Sequence, residues 1–299
     1  MENPKNLKEL LKDKVSEKEL ILVPRSFDIV GSKEKAVAIV EIPEELESKE
    51  RVISEGIMQL NKNVKSVLKK VSERKGELRL REYKLVAGDT DTEVIHKEHG
   101  YILKFDPQKV YFSARESTER QRIAEQVKPN ENVMVMFSGV APFAIAIAKK
   151  QDVNRIYAIE LNKIAHEYSK ENVRINKLSH KIVLIYGDVR EKCKEYYESC
   201  DRVVMPLPLG SESFLDIAIN CLKEEGIIHF YNWSSEKDLF SKVLKIIEEN
   251  CKKLNKKIEI LDKRKVLAYA PRKWKVCIDF KIAGVPKSGQ RGKIQDLVA

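Results

Sequence analysis

The sequence lacks any apolar run near the ~18–20 residues needed to cross a bilayer. Its opening residues, Met1-Glu2-Asn3-Pro4-Lys5, carry no hydrophobic leader. Cysteine is scarce. Cys193, Cys200, Cys221, Cys251 and Cys277 form neither a C-x-x-C pair nor a zinc-finger spacing. An odd, scattered set reads as reduced thiols, so a cytoplasmic location is expected, with no membrane partner and no metal. The G-x-G-x-x-G cradle is also missing, which argues against a dinucleotide held by its pyrophosphate.

What the chain has is charge. Lys and Arg number 56 against 46 Asp and Glu, a net +10. Such an excess suits a polyanion through phosphate contacts and counterion release. A uniformly lysine-rich surface would carry the same excess without such a partner. With 299 residues, 42% of them hydrophobic, the chain can bury one large core or two ordinary ones.

Apolar spacing predicts a short amphipathic helix over 7–20, a strand over 36–42 stopped by Pro43, and a helix over 44–62. Strands at 66–68 and 83–88 follow, then a hairpin over 93–105 turning near Gly100. Residues 1–106 thus read as a small α+β domain behind a leading helix. Strands at 133–137, 155–159, 182–186, 202–205 and 226–231 then alternate with helices at 141–150, 164–176 and 211–223. An antiparallel pair, 258–268 with 274–282, closes the set. Alternation implies parallel strands joined by crossovers. The expected fold is α/β, with a Rossmann-like domain over 107–285 and a polar tail over 286–299.

One stretch is especially informative. Val133-Met134-Val135-Met136-Phe137-Ser138-Gly139-Val140-Ala141-Pro142-Phe143 reads as a buried strand, a small-residue turn and a helix start. Ile156-Tyr157-Ala158-Ile159-Glu160 is a second buried strand ending in an acid. Such a unit holds a nucleoside: backbone N–H groups of the turn approach it and the acid takes the ribose hydroxyls. Without a pyrophosphate cradle, S-adenosylmethionine is the nucleoside that fits best. Candidate contacts are Phe137, Gly139, Val140, Glu160 and Leu161. Asp188 and Val189 after the third strand, and Pro206 and Pro208 after the fourth, would line the same crevice. Each has a plainer alternative: an acid after a strand is often a helix N-cap, and Pro206-Leu207-Pro208 could be a stiffened strand exit.

Five segments extend this reading: Tyr111-Phe112-Ser113-Ala114-Arg115-Glu116-Ser117-Thr118-Glu119-Arg120, the 136–143 turn, Gly187-Asp188-Val189-Arg190, Asp201-Arg202-Val203-Val204-Met205 and Tyr269-Ala270-Pro271-Arg272. In this order they resemble the archaeal and eukaryal tRNA (guanine-37-N1) methyltransferases and the related wybutosine-synthesis aminocarboxypropyl transferases. The resemblance spans roughly 27–282. It implies a class I, S-adenosylmethionine-dependent methyltransferase fold and methyl transfer to N1 of guanosine 37, with the tRNA anticodon stem-loop as partner and a monomer as the working form. It also implies roles: Glu119 as the base at N1, Arg79 (with Arg81 its close rival) as the cation at O6, and Tyr111 and Arg115 as cofactor contacts. From the residues alone, Glu119 reads more readily as a first-turn acid beside a Ser117 or Thr118 cap.

Departures from the family pattern leave alternatives standing. Pro206 stands where relatives often have Asn, Val135 where an acid is frequent, Ala141 for a second Gly, and Ala114 for Pro. Aminocarboxypropyl transfer, methylation of a tricyclic intermediate at the same position, and a noncatalytic RNA-binding protein of decayed fold all remain readings. Only about two dozen residues precede Ser26-Phe27-Asp28, too few for the tRNA-elbow domain of many relatives. RNA contact is then expected from the 27–105 module and from Lys69-Lys70, Arg74-Lys75, Arg79, Arg81, Lys252-Lys253 and Lys256-Lys257.

Overall fold

The computed structural model describes residues 5–72 and 81–283. The chain divides into two compact units, Met1–Glu195 and Tyr196–Ala299.

The first unit opens with α1 (Leu7–Leu11) and α2 (Glu17–Leu22). One helix was expected here; Ser16 and Glu19 form a reciprocal capping box that starts a second. Next come β1 (Asp28–Gly31) and β2 (Ala36–Val40), a 3-10 turn at Glu44–Lys49, α3 (Glu50–Leu60), β3 (Val64–Lys70) and β4 (Tyr83–Gly88). These strands form one sheet in the order β1-β2-β3-β4, with β2 and β3 parallel and the outer pairs antiparallel. β2 is buried along its whole length, as an unbroken apolar run requires. Ile53 and Ile57, one turn apart on α3, join Leu7, Leu11, Ala38, Val40 and Val67 in its core. Each of the Leu, Ile and Val side chains contributes roughly 1.5–3 kcal/mol on burial.

β5 (Val94–Glu98) and β6 (Tyr101–Phe105) form the expected hairpin. Its two turn residues, His99 and Gly100, have φ of 42° and 81°, as tight two-residue turns demand. α4 (Ser117–Gln126) leads to β7 (Asn132–Val135), α5 (Pro142–Lys150), β8 (Arg155–Glu160), α6 (Lys163–Ile175), β9 (Ile182–Tyr186) and α7 (Val189–Lys192). β8 pairs in parallel with β7 on one side and β9 on the other. Asn172 and Asn176 serve the β6 edge as a strand would. Asn172 accepts the Lys104 N–H (2.6 Å) and donates to the Lys104 carbonyl (3.1 Å). Asn176 does the same for Ile102 (3.1 and 2.6 Å).

The second unit holds β10 (Cys200–Met205), α8 (Leu215–Cys221), β11 (Leu222–Ser235), α9 (Ser241–Lys253), β12 (Lys257–Ala270) and β13 (Lys273–Ala283). Its strands lie in the order β10-β11-β13-β12. β10 and β11 are parallel and the other pairs antiparallel. The helix expected over 211–223 stops at Cys221, because Leu222 already pairs with Cys200.

Candidate active site

The strand expected to run to Phe137 stops at Val135, and the turn that follows is left-handed at three residues. Phe137, Gly139 and Ala141 have φ of 54°, 57° and 66°. At the two non-glycine positions this costs about 1–2 kcal/mol each, a strain typical of ligand-holding turns. The turn is tied down on several sides. Ser138 N–H donates to the Ile159 carbonyl (2.8 Å), and Asn172 Nδ2 donates to the Val140 carbonyl (3.1 Å). Gly139 N–H donates to Glu160 Oε2 (2.6 Å), and Asn162 N–H to Glu160 Oε1 (2.7 Å). Burial pushes the Glu160 pKa up, against the pull of the Asn162, Gly139 and Leu161 N–H groups. Each carboxylate oxygen keeps lone-pair capacity for a hydroxyl donor. Ser138, absent from the candidates read from sequence, has a buried Oγ with no hydrogen-bond partner. A turn with a placed carboxylate and an orphaned hydroxyl fits a ribose-bearing nucleoside.

Tyr111 borders this turn. A Cβ on Gly139 would lie 3.8 Å from the Tyr111 carbonyl and touch nothing else, so glycine is favoured there by backbone angle. The Tyr111 hydroxyl donates to the buried Glu116 (3.1 Å). Arg115 is exposed and its guanidinium pairs with Asp28 on β1. Lys70, at the end of β3, has its pKa pushed down by burial. Asp28 opposes that push, while Arg81 and Arg115 add to it. Glu41 opposes it as well, 3.7 Å from Lys70 Nζ, so three cations gather near two carboxylates. Arg79 lies outside the described residues; Arg81, its rival, is partly buried.

Glu119 is the acid in the first turn of α4, but the Ser117 or Thr118 cap expected beside it is not formed, for the N-cap is Glu116 and no side chain caps the helix. Its carboxylate is buried, 6% exposed, and forked by Arg122 Nε and Nη2 at 2.9 and 2.7 Å. α4 packs on α5, the helix that the cofactor turn begins. The neighbouring Arg120 is also buried and forks Glu98 at 2.7 and 2.8 Å. It donates to the Ser113 carbonyl as well, and it lies over the Phe112 ring. Burial pushes Glu98 up, but His96, Arg120 and Tyr101 outweigh it and hold the carboxyl at about 2. The 111–120 segment is thus stitched to the β5–β6 hairpin. Sequence reasoning missed this scaffold, since Glu98 and Arg120 stand 22 positions apart with no pattern linking them.

Asp188 is the N-cap of α7, accepting the Arg190 N–H (2.7 Å) and pairing with Arg190 Nη1 (2.9 Å). Val189 is the buried first residue of that helix. Phe137, Leu161, Pro206 and Pro208 are partly buried. Pro206 and Pro208 belong to the second unit, where the Pro208 carbonyl accepts the Trp233 N–H of β11 (3.2 Å). A wholly buried network, also unforeseen, crosses that sheet. Arg202 Nη1 lies 2.8 Å from His229 Nε2, and His229 Nδ1 lies 2.7 Å from Asp279. A guanidinium can only donate, so the ring proton sits on Nδ1. Among the basic clusters, Lys69 is buried and paired with Glu47 and Glu50 at 3.3 and 3.2 Å, not free for RNA. Lys252, Lys253, Lys256 and Lys257 are exposed. Arg74 and Lys75 lie outside the described residues.

Comparison with known proteins supplies the family. A model of the TRM5/TYW2 methyltransferase domain matches residues 94–261, and one of the TYW2 N-terminal domain matches residues 7–92. The chain is 41% identical over 261 residues to the tRNA (guanine(37)-N(1))-methyltransferase Trm5b of Pyrococcus abyssi, covering 87% of this chain and 76% of that one. A solved complex of aTrm5 with tRNALeu superposes with a TM-score of 0.82 at 39% identity, over 94% of this chain and 79% of the other. P. horikoshii TYW2, solved with MeSAdo, superposes with a TM-score of 0.77 at 27% identity, over 93% and 98%. The strand–helix alternation around the left-handed turn is therefore that of an S-adenosylmethionine-dependent methyltransferase fold, and the chain belongs to the TRM5/TYW2 methyltransferase family.

Proposed function

We propose that this chain is a tRNA methyltransferase that moves the methyl group of S-adenosylmethionine to N1 of guanosine 37. The observation that carries the reading is Glu119, a buried carboxylate on a helix packed against the one that starts at the cofactor turn. Guanine N1 bears a proton at neutral pH, so methylation there needs a base. Glu119 would take that proton as the N1–methyl bond forms and the methyl–sulfur bond breaks, leaving a neutral thioether, a contribution of roughly 10²–10⁴-fold. Arg122 aims the Glu119 carboxylate through its two-point fork. Arg79 steadies the charge on O6, and Lys70, Arg81 and Arg115 add a positive surround. The bound cofactor supplies an electrophilic methyl on a sulfonium. The residues that hold it are Tyr111, Phe137, Ser138, Gly139, Val140, Glu160 and Leu161, with Arg115, Asp188 and Val189 beside them. Pro206 and Pro208 would rim the guanine through backbone carbonyls. The base must leave the anticodon-loop stack to reach them.

In this reading the protein works as a cytoplasmic monomer. We divide the chain into a tRNA-contacting domain over 1–106, a methyltransferase domain over 107–285 and a tail over 286–299; the two family models, which divide near residue 93, support two domains in that order.

A second reading, aminocarboxypropyl transfer, is favoured by Pro206 in place of the usual Asn and by the TYW2-type N-terminal match. The higher identity to Trm5b, 41% against 34% for an aminocarboxypropyltransferase, favours methyl transfer. Incubation with unmodified tRNA and S-adenosylmethionine, followed by nucleoside mass spectrometry, decides between them. A gain of one methyl on guanosine is expected. A gain of a whole aminocarboxypropyl group, or modification of a tricyclic base alone, overturns the proposal. Absence of any cofactor binding heat in calorimetry would favour a noncatalytic RNA-binding protein.

A further inference from the structure

The strongest unexplained feature lies on the second unit, at the far half of the β12–β13 hairpin. Residues 262–275 hold six Lys or Arg and one acid, giving half of the chain's net +10. Lys263, Arg264, Lys265, Arg272 and Lys273 are all exposed. Four surface cations of the first unit, Lys35, Lys97, Lys104 and Lys109, each sit against an acid. Among the described residues, Lys263, Arg264, Arg272 and Lys273 form no side-chain ion pair. Lys265 lies over the Trp274 ring, 4.5 Å from its centre. Such a pair offers a cation and an aromatic face together.

Geometry narrows the partner. β12 is an edge strand, paired only with β13. Alternation puts Lys263 and Lys265 on one side of the strand and Arg264 on the other, while Arg272 and Lys273 cap its turn. Cations therefore wrap both sides of a narrow ridge. That arrangement suits a rod-like polyanion lying along the ridge better than a flat anionic surface. The cost of bringing unpaired like charges together is offset when phosphates replace their counterions.

We propose that this hairpin edge is a contact surface for the phosphate backbone of the tRNA substrate. It rests on the reading of the chain as a tRNA-modifying enzyme and adds where the RNA is gripped. A row of lysines also protects an edge strand from pairing with another copy, so the test must separate grip from protection.

The full-length protein is compared with K263S/R264S/K265S, R272S/K273S, the charge-reversed K263E/K265E, and a control, K252S/K253S/K256S, that removes charge from the end of α9. Binding of unmodified tRNA is measured across a salt series, with S-adenosylmethionine binding and thermal unfolding as fold controls. Expected is an affinity loss of about tenfold or more for the triple hairpin variant, and a salt slope shallower by about two to three. The α9 control should lose distinctly less. K263E/K265E keeps the edge charged, so protection predicts normal tRNA binding there whereas grip predicts loss. Normal tRNA affinity in this reversed variant, or equal losses in hairpin and α9 variants, overturns the proposal. Should the unaltered protein modify no tRNA, the functional reading fails instead, a result separable from the hairpin's.

Discussion

Glu160 and Glu119 are carboxylates of the same unit with opposite surroundings. Glu160 ends a parallel strand and is held by main-chain N–H groups, which are fixed by the fold and carry no formal charge. Glu119 sits on a helix and is held by the guanidinium of Arg122, a charged side chain that is itself largely buried. A carboxylate fixed by backbone suits a ligand that must be bound the same way each time. One held by a cation one turn along the same helix suits a group that exchanges a proton. In the proposed reading, binding falls to the first and chemistry to the second.

The largest effect should come from the chemical partner. Glu119→Gln keeps size and hydrogen bonding but removes the base, so single-turnover methylation should slow by roughly 10²–10⁴-fold. Cofactor affinity by calorimetry should stay unchanged; equal losses in both would make Glu119 a structural or cofactor residue. Next comes the scaffold beneath it. Glu98→Gln leaves Arg120 buried and uncompensated, and denaturant unfolding should register a loss of roughly 3–5 kcal/mol. Because the Glu98 pKa is depressed from 4.5 to about 2, its stabilisation is present above pH 4.5 and is lost as pH falls towards 2. Stability of Glu98→Gln should therefore change less over that acid range than that of the unaltered protein.

The binding partner ranks third. Glu160→Ala removes the acceptor of two N–H groups and of the ribose hydroxyls, and S-adenosylmethionine should bind roughly 10–100-fold more weakly. At saturating cofactor the turnover should recover, and a persistent loss of turnover would erase the contrast with Glu119. The smallest effect tests the turn itself. Ala141 holds a left-handed φ of 66°, so Ala141→Gly should raise stability by about 1 kcal/mol in thermal unfolding. A loss would mean that the methyl group's packing outweighs the backbone strain.

Local regularities were legible in the chain. The hairpin around Gly100, the β7–turn–α5 unit, the acid ending β8 and the closing antiparallel pair all depend on neighbours in sequence, through side-chain period and turn chemistry. Helix lengths were less legible. The break at Ser16 and the stop at Cys221 depend on a capping box and on strand pairing with Cys200.

By itself, then, the sequence determined the turn after β7, the acid that ends β8 and the family that carries them, because each is a short pattern imposed by backbone geometry. Only the tertiary structure decided what surrounds those groups: Arg122 on Glu119, Arg120 on Glu98, Asn172 on the Val140 carbonyl and Asp28 on Arg115. Except for the Arg122 fork, these partners come from distant parts of the chain, and what a buried charge or amide needs is a partner in space, whatever its place in the sequence.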